Sequence, residues 1–351
     1  MNIEKLLKAA VEQEASDLHI TVGLPPTIRK NGRLLKLGEV PVTADESEMY
    51  VRQMLNSDKL KEFQAKGELD FSFSCQGIGR FRVNAYRQRG VCCIAVRSVN
   101  IEIPTFQELG LPDMVKEFAK KTKGLLLVTG PTGSGKSTTL AAIIDQINSE
   151  RDCHILTLED PIEYLHKHKK SMVNQREVGY DTNSYANALR AALREDPDVI
   201  LVGEMRDMET ISIAVTAAET GHYVLSTLHT VGAANTIDRI VDVFPPFQQQ
   251  QMRVQLSAIL QGVVSQQLIP RKDRTGRANA VEIMVSNPAI RNLIREGKTH
   301  QIYSIIQTGG KFGMQTMDSS LAYLYNNGII SLDDAMAYAV EPENIVRLTG
   351  S

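Results

Sequence analysis

Between residues 130 and 137 the chain reads Gly-Pro-Thr-Gly-Ser-Gly-Lys-Ser, a G-x-x-x-x-G-K-[ST] pattern placed between an apolar run, Leu125 to Thr129, and a helical one, Thr138 to Ile147. This spacing suits a polyphosphate. Gly130, Gly133 and Gly135 let backbone N–H groups curl around a β-phosphate, with Pro131, Thr132 and Ser134 completing the loop, and the following helix adds the positive end of its dipole. Lys136 is long enough to reach the β- and γ-oxygens, the Ser137 hydroxyl is placed to ligate Mg²⁺, and Thr138 follows in the first helical turn. A bound nucleoside triphosphate is implied. No N-K-x-D segment is present to read guanine, so ATP is the expected nucleotide.

Other strand-like runs deliver acidic and imidazole groups. His154 to Leu158 is followed by Glu159, Asp160 and Glu163 at the carboxyl end, where α/β sheets gather their ligands. Asp198 to Val202 has the form of a Walker B strand but ends in Gly203-Glu204, where the usual motif supplies an Asp for Mg²⁺. Glu204 is the leading candidate to polarise an attacking water, and Glu163 is its rival. Tyr223 to Leu228 is bracketed by His222 and His229; His229 falls where a γ-phosphate sensor would sit, and His222 is grouped with the nucleotide-binding residues. Upstream, Ala188 to Arg194 reads as a helix with Arg190 and Arg194 at i, i+4, able to clamp an anion. The basic run His166 to Lys170 reads as a solvated loop.

The elements that must position these groups follow from the hydrophobic period. Residues 1 to 15 show i, i+3, i+4 recurrence and Ser47 to Gln64 reads as helix. Segments Leu18 to Val22, Thr27 to Leu37, Leu69 to Ser74, Arg80 to Arg87 and Cys92 to Val99 are short and β-prone. The expected order is a small α+β domain over 1–99, a Pro- and Gly-containing linker over 100–112, an ATPase core over 113–288 and a helical region over 289–351. A length of 351 residues suits two domains, and 42% hydrophobic with 23% charged residues excludes a disordered chain. The four cysteines form no C-x-x-C pair, so neither zinc nor a disulfide framework is expected.

Four boxes occur in order: Gly130 to Ser137, the acidic Leu158 to Glu163, the atypical Walker B Asp196 to Glu204, and Thr220 to His229. Together they resemble the secretion-type hexameric ATPases that power type II secretion and type IV pili, in which the Gly-Glu ending is the norm. Ala15 to Ile20, Pro25 to Arg33, Ala289 to Glu296 and Gly313 to Asp318 extend the resemblance over nearly the whole chain, to the branch that retracts pili in twitching motility. It implies an α/β protein with a PAS-like N-terminal domain, a RecA-like P-loop ATPase domain with a helical C-terminal extension, and a homo-hexamer. It also implies that Arg82 and Arg97, with Arg190 and Arg194, approach the nucleotide phosphates, in their own subunit or a neighbour's. The partner implied is an inner-membrane pilus platform protein. In Ala289 to Glu296, Ile290, Leu293 and Ile294 form an apolar stripe and leave Arg291 and Arg295 on another face, a stretch the retraction branch needs for function.

Rival readings are a retraction accessory ATPase paralogue, a nucleotide-regulated scaffold or GTPase switch, and a hexameric nucleic-acid motor. A formal charge of −2, no Trp and no basic stretch interleaved with aromatics argue against nucleic acid. No apolar run approaches the roughly 20 residues of a membrane span, and no signal peptide is visible, which places the chain in the cytoplasm. Recruitment to the cytoplasmic face of the inner membrane would come through the pilus partner.

Overall fold

The change of hydrophobic period near residue 100 is a change of architecture. The computed structural model describes residues 2–30, 32–100 and 102–350; Asn31 of the Pro25 to Arg33 segment and Ile101 of the expected linker lie outside them. The chain divides into an N-terminal unit, Met1–Glu102 with Glu163–Leu165, and a C-terminal unit, Ile103–Ile162 with His166–Ser351.

The N-terminal unit runs α1 (Ile3–Glu12), β1 (Asp17–Ile20), β2 (Thr27–Lys30), β3 (Arg33–Lys36), α2 (Ala44–Met54), α3 (Ser57–Lys66), β4 (Glu68–Cys75), β5 (Gly79–Gln88) and β6 (Val91–Ser98). Its strands pair in the order β3-β2-β1-β6-β5-β4, antiparallel throughout. Alternation along the strands gives the sheet two different faces. Leu18, Ile20, Ile28, Phe81, Val83, Ala85, Ile94 and Val96 turn inward to Ile3, Leu7, Tyr50 and Phe63 of the helices. The other face carries a transverse row in which Arg29 lies opposite Asp17, Asp17 opposite Arg97, and Arg97 opposite Arg82. The helix expected over Ser47 to Gln64 is two helices: Leu55 is extended, and the Asn56 side chain accepts from Lys59 N at 2.9 Å to start α3 afresh.

The C-terminal unit runs α4 (Asp113–Ala119), β7 (Gly124–Thr129), α5 (Lys136–Glu150), β8 (His154–Glu159), β9 (Met172–Glu177), α6 (Tyr185–Ala192), β10 (Val199–Val202), α7 (Met208–Glu219), β11 (Tyr223–Leu228), α8 (Ala233–Asp242), α9 (Pro246–Ile259), β12 (Leu260–Pro270), β13 (Arg277–Val285), α10 (Pro288–Glu296), α11 (Ile302–Thr308), α12 (Met317–Asn326), α13 (Leu332–Ala337) and α14 (Pro342–Thr349). Strand order is β13-β12-β7-β11-β10-β8-β9, with only the β12–β13 pairing antiparallel. The inner strands β7, β8, β10 and β11 are buried on both faces, which is why they read as largely unbroken apolar runs. Leu125, Leu127, Ile200 and Val202 face the layer of α6 to α10, while Leu126, Val128, Val199 and Leu201 face α4 and α5.

The last helices close around one carboxylate. Asp318 is fully buried and accepts from Val340 N at 2.7 Å, Glu341 N at 3.2 Å, Tyr303 Oη at 3.1 Å and Asn344 Nδ2 at 3.2 Å. On α10, Ile290 and Ile294 are buried and Leu293 is partly so, with Arg291 half-buried and Arg295 exposed. The architecture is the α/β one expected, a PAS-like α+β unit and a RecA-like unit with a helical extension.

Candidate nucleotide site

Parallel strands in register end together. Thr129 of β7 lies beside Leu228 of β11, and Val202 of β10 lies between Ser226 of β11 and Leu158 of β8. Gly130, His229, Glu204 and Glu159 therefore leave the sheet at one edge, which brings the four motifs together.

The loop after β7 is shaped by what its glycines lack. Gly130 has φ +141°, and a Cβ there would sit 2.2 Å from the Gln266 carbonyl oxygen and 2.6 Å from Ser134 Oγ. Gly133 (φ +77°) and Gly135 (φ +89°) adopt left-handed backbone, and α5 starts directly after Gly135. Gln266, on β12, donates from Nε2 to the Ser134 carbonyl at 2.7 Å and so braces the loop from beneath. Lys136 is buried, and its ammonium donates to the carbonyls of Gly130 (2.9 Å) and Pro131 (3.0 Å) and lies 3.4 Å from His229 Nδ1.

His229 links that lysine to the Walker B carboxylate. Its Nε2 is 3.0 Å from Glu204 Oε1, and Arg206 Nε is 2.6 Å from the same oxygen. One tautomer serves both contacts of the ring: Nδ1 accepts from the Lys136 ammonium and Nε2–H donates to the carboxylate. Glu204, Arg206, His229, Thr230 and Arg239 line a cavity of about 410 Å³ with Ile211 and Val243. At the end of β8, Glu159 accepts from Thr157 Oγ1 (2.6 Å) and Gln175 Nε2 (3.1 Å). Tyr185 stands against Gly203, where a Cβ would come 2.9 Å from its hydroxyl. Burial first, then the carboxylates of Asp160, Glu204 and Glu159, raise the Tyr185 phenol above its ordinary range, which places this ring among the acidic groups.

Three of the residues that shape the edge escape motif reading. Gln266 sits 132 residues beyond Ser134 with nothing local to mark it, and Tyr185 opens α6 without a pattern. Arg206 follows Glu204 by two positions, and that adjacency was its only signal.

Other expected positions fall elsewhere. His222 is corrected: it precedes β11 at the opposite edge of the sheet, its carbonyl accepts from Gly124 N at the start of β7, and its Nδ1 lies 2.9 Å from the Ala217 carbonyl. Arg190 and Arg194 do not form one clamp, because α6 ends at Ala192, Arg194 lies in the turn beyond, and Arg190 is ion-paired to Glu209. Glu163 is exposed and belongs to the N-terminal unit through the Asn100–Tyr164 bridge and a Leu165 N to Asn100 O bond of 3.0 Å. Arg82 and Arg97 are strand neighbours on the open face of that unit, with Arg97 Nε 2.9 Å from Asp17 Oδ1. The His166 to Lys170 run is a loop with residues 167–170 exposed, as expected, but it is tethered to α5: Lys169 pairs with Asp145 at 2.7 Å, Asn148 donates to the Lys167 carbonyl, and burial lowers the His166 pKa to about 4.

The family model for the type II/IV secretion system protein matches residues 1–336. The chain belongs to that family. It is 51% identical over 344 residues to the type IV pilus retraction ATPase PilT of Pseudomonas aeruginosa, covering 98% of this chain and 100% of that one. The type IV pilus ATPase PilU of the same organism is 41% identical over 348 residues, covering 99% and 91%. A crystal structure of the pilus retraction motor PilT with bound ADP superposes with a TM-score of 0.90 at 51% identity, covering 99% of each chain. Among the described residues of this secretion-family chain no helix is long and apolar enough to cross a membrane.

Proposed function

We propose that this chain is the ATP-hydrolysing motor of type IV pilus retraction. The observation that carries the reading is the continuous path from the phosphate loop to the Walker B carboxylate: Lys136 Nζ, the two nitrogens of His229 and Glu204 Oε1, joined at 3.4 and 3.0 Å. A triphosphate cradled by Gly130 to Gly135 is held at its β- and γ-oxygens by Lys136. His229, bonded to the lysine on one side and to Glu204 on the other, senses whether the γ-phosphoryl group is in place. Glu204 takes the proton of the attacking water. Glu159 and Asp160 flank the position, and Glu163 is set aside as the base because it is exposed on a different segment.

The loop fits a phosphate chain, since Gly133 and Gly135 hold left-handed backbone, the position of a Cβ at Gly133 is open, and the N-terminus of α5 follows directly. Ser137, in the first turn of α5, would hold Mg²⁺, which when bound neutralises charge on the phosphates. Higher identity to the retraction ATPase than to PilU supports the principal motor over the accessory paralogue. In this reading the chain works as a homo-hexamer on an inner-membrane platform protein, with Arg82, Arg97, Arg190 and Arg194 completing sites within the ring.

Steady-state Mg-ATP hydrolysis across a dilution series, with light scattering on the same samples, tests it. Specific activity should collapse as the ring falls to monomers. Monomers that hydrolyse ATP as fast as rings would sink the coupled motor.

A further inference from the structure

The turn between β10 and α7 divides its work by parity. Gly203 N donates to the Leu158 carbonyl at 2.7 Å, Met205 is buried and its N–H bonds the Thr227 carbonyl at 3.3 Å, and Asp207 caps α7 by accepting from Thr210 N at 2.8 Å. Those three residues fix the backbone. Glu204 and Arg206 alternate with them, line the cavity along with Met205, and meet each other at 2.6 Å. The Arg206 side chain is 76% exposed against 16% for Glu204. An arginine so exposed adds little to stability and loses rotamer freedom when it is held. Its contact is best explained by what it does to the carboxylate. Arg206 and His229 both approach Oε1, so two donors from different elements converge on one oxygen.

We propose that Arg206 is a positioning residue for ATP hydrolysis: together with His229 it pins Oε1 of Glu204, leaving the second carboxylate oxygen to receive the proton of the attacking water. This rests on Glu204 being the water activator. Arg206 does not touch the nucleotide in this role. It reduces the number of carboxylate rotamers, and the gain appears in turnover and not in binding.

The test compares R206A, R206K and E204Q in the full-length protein, measuring kcat and KM for Mg-ATP, affinity for a fluorescent ADP analogue, thermal midpoint and assembly mass. R206A should lower kcat by about 10- to 100-fold, a general-base share of the rate, with KM and ADP affinity within about twofold and an unchanged midpoint. R206K, which keeps a cation in reach, should recover part of the loss. Wild-type kcat in R206A overturns the proposal. So does a raised KM with kcat retained, which would make Arg206 a nucleotide ligand, and so does a fallen midpoint or assembly mass, which would make it structural. R206K no better than R206A also overturns it. E204Q separates the two readings: normal hydrolysis in E204Q removes the assignment of Glu204 itself, whereas inactive E204Q beside normal R206A rejects only the positioning role.

Discussion

The two sheets of this molecule expose function in different ways. The inner strands of the seven-stranded sheet are covered on both faces, so the proposed chemistry is confined to one edge, where the ends of β7, β11, β10 and β8 present Lys136, His229, Glu204 and Glu159. The six-stranded antiparallel sheet has its core on one face and carries charge across the other, as the row Arg29, Asp17, Arg97, Arg82. In the first, a side-chain substitution that leaves the backbone its path is expected to change reaction rate before it changes the fold. In the second, neighbouring charges share a surface, and a substitution is felt first as stability.

The largest expected effect breaks the edge. K136A should lower Mg-ATP turnover by at least about 100-fold, because phosphoryl transfer depends on electrostatic positioning, while circular dichroism and the thermal midpoint stay near wild type. A midpoint lowered by many degrees would show that the buried Lys136 bonds to Gly130 and Pro131 are a structural brace. Next comes G130A, whose new methyl would meet the Gln266 carbonyl at 2.2 Å and force the loop or β12 to shift. Titration with a fluorescent ADP analogue should show affinity lost by roughly tenfold or more, with about 1–3 kcal/mol of stability lost as well. Wild-type affinity would mean the loop tolerates another path.

The smallest effect lies on the open face. Arg82 and Arg97 are like charges directly opposite each other, an unfavourable pairing offset by Asp17 on the far side of Arg97. D17N should cost about 1 kcal/mol in denaturant unfolding and leave ADP affinity unchanged. Burial tends to raise the Asp17 carboxyl, but bonds from Ser16 and Arg97 outweigh it and hold it below its ordinary value. Its contribution is therefore full above about pH 4 and is lost as pH falls through the depressed value, so wild type and D17N should converge in acid. A constant gap between pH 6 and pH 2 would assign the loss to packing.

The contrast also explains what could be read from the sequence. The phosphate loop was legible because only glycine meets its backbone demands, and Glu204 and His229 because they directly follow unmistakable buried strands. Proximity to a motif is a weaker guide: His222 is six residues before the edge that matters, and β11 carries that interval to the far end of the sheet. The i, i+4 spacing of Arg190 and Arg194 suits one helix face, yet α6 ends between them. The break in the first domain's long helix turned on Asn56 capping Lys59, a local bond that competes well with an apolar period. Gln266 and Tyr185 were invisible because their roles arise from tertiary contact alone.

Asp318 has a consequence for the order in which this molecule is made. Its carboxylate is synthesised 22 residues before the Val340 amide that satisfies it, and Glu341 and Asn344 come later still. Until those residues have left the ribosome the carboxylate lacks the donors that satisfy it, so this layer cannot close before α14 is available. Of the four bonds that satisfy Asp318, three come from residues 340–344, so a chain lacking that segment would leave this carboxylate only the Tyr303 hydroxyl.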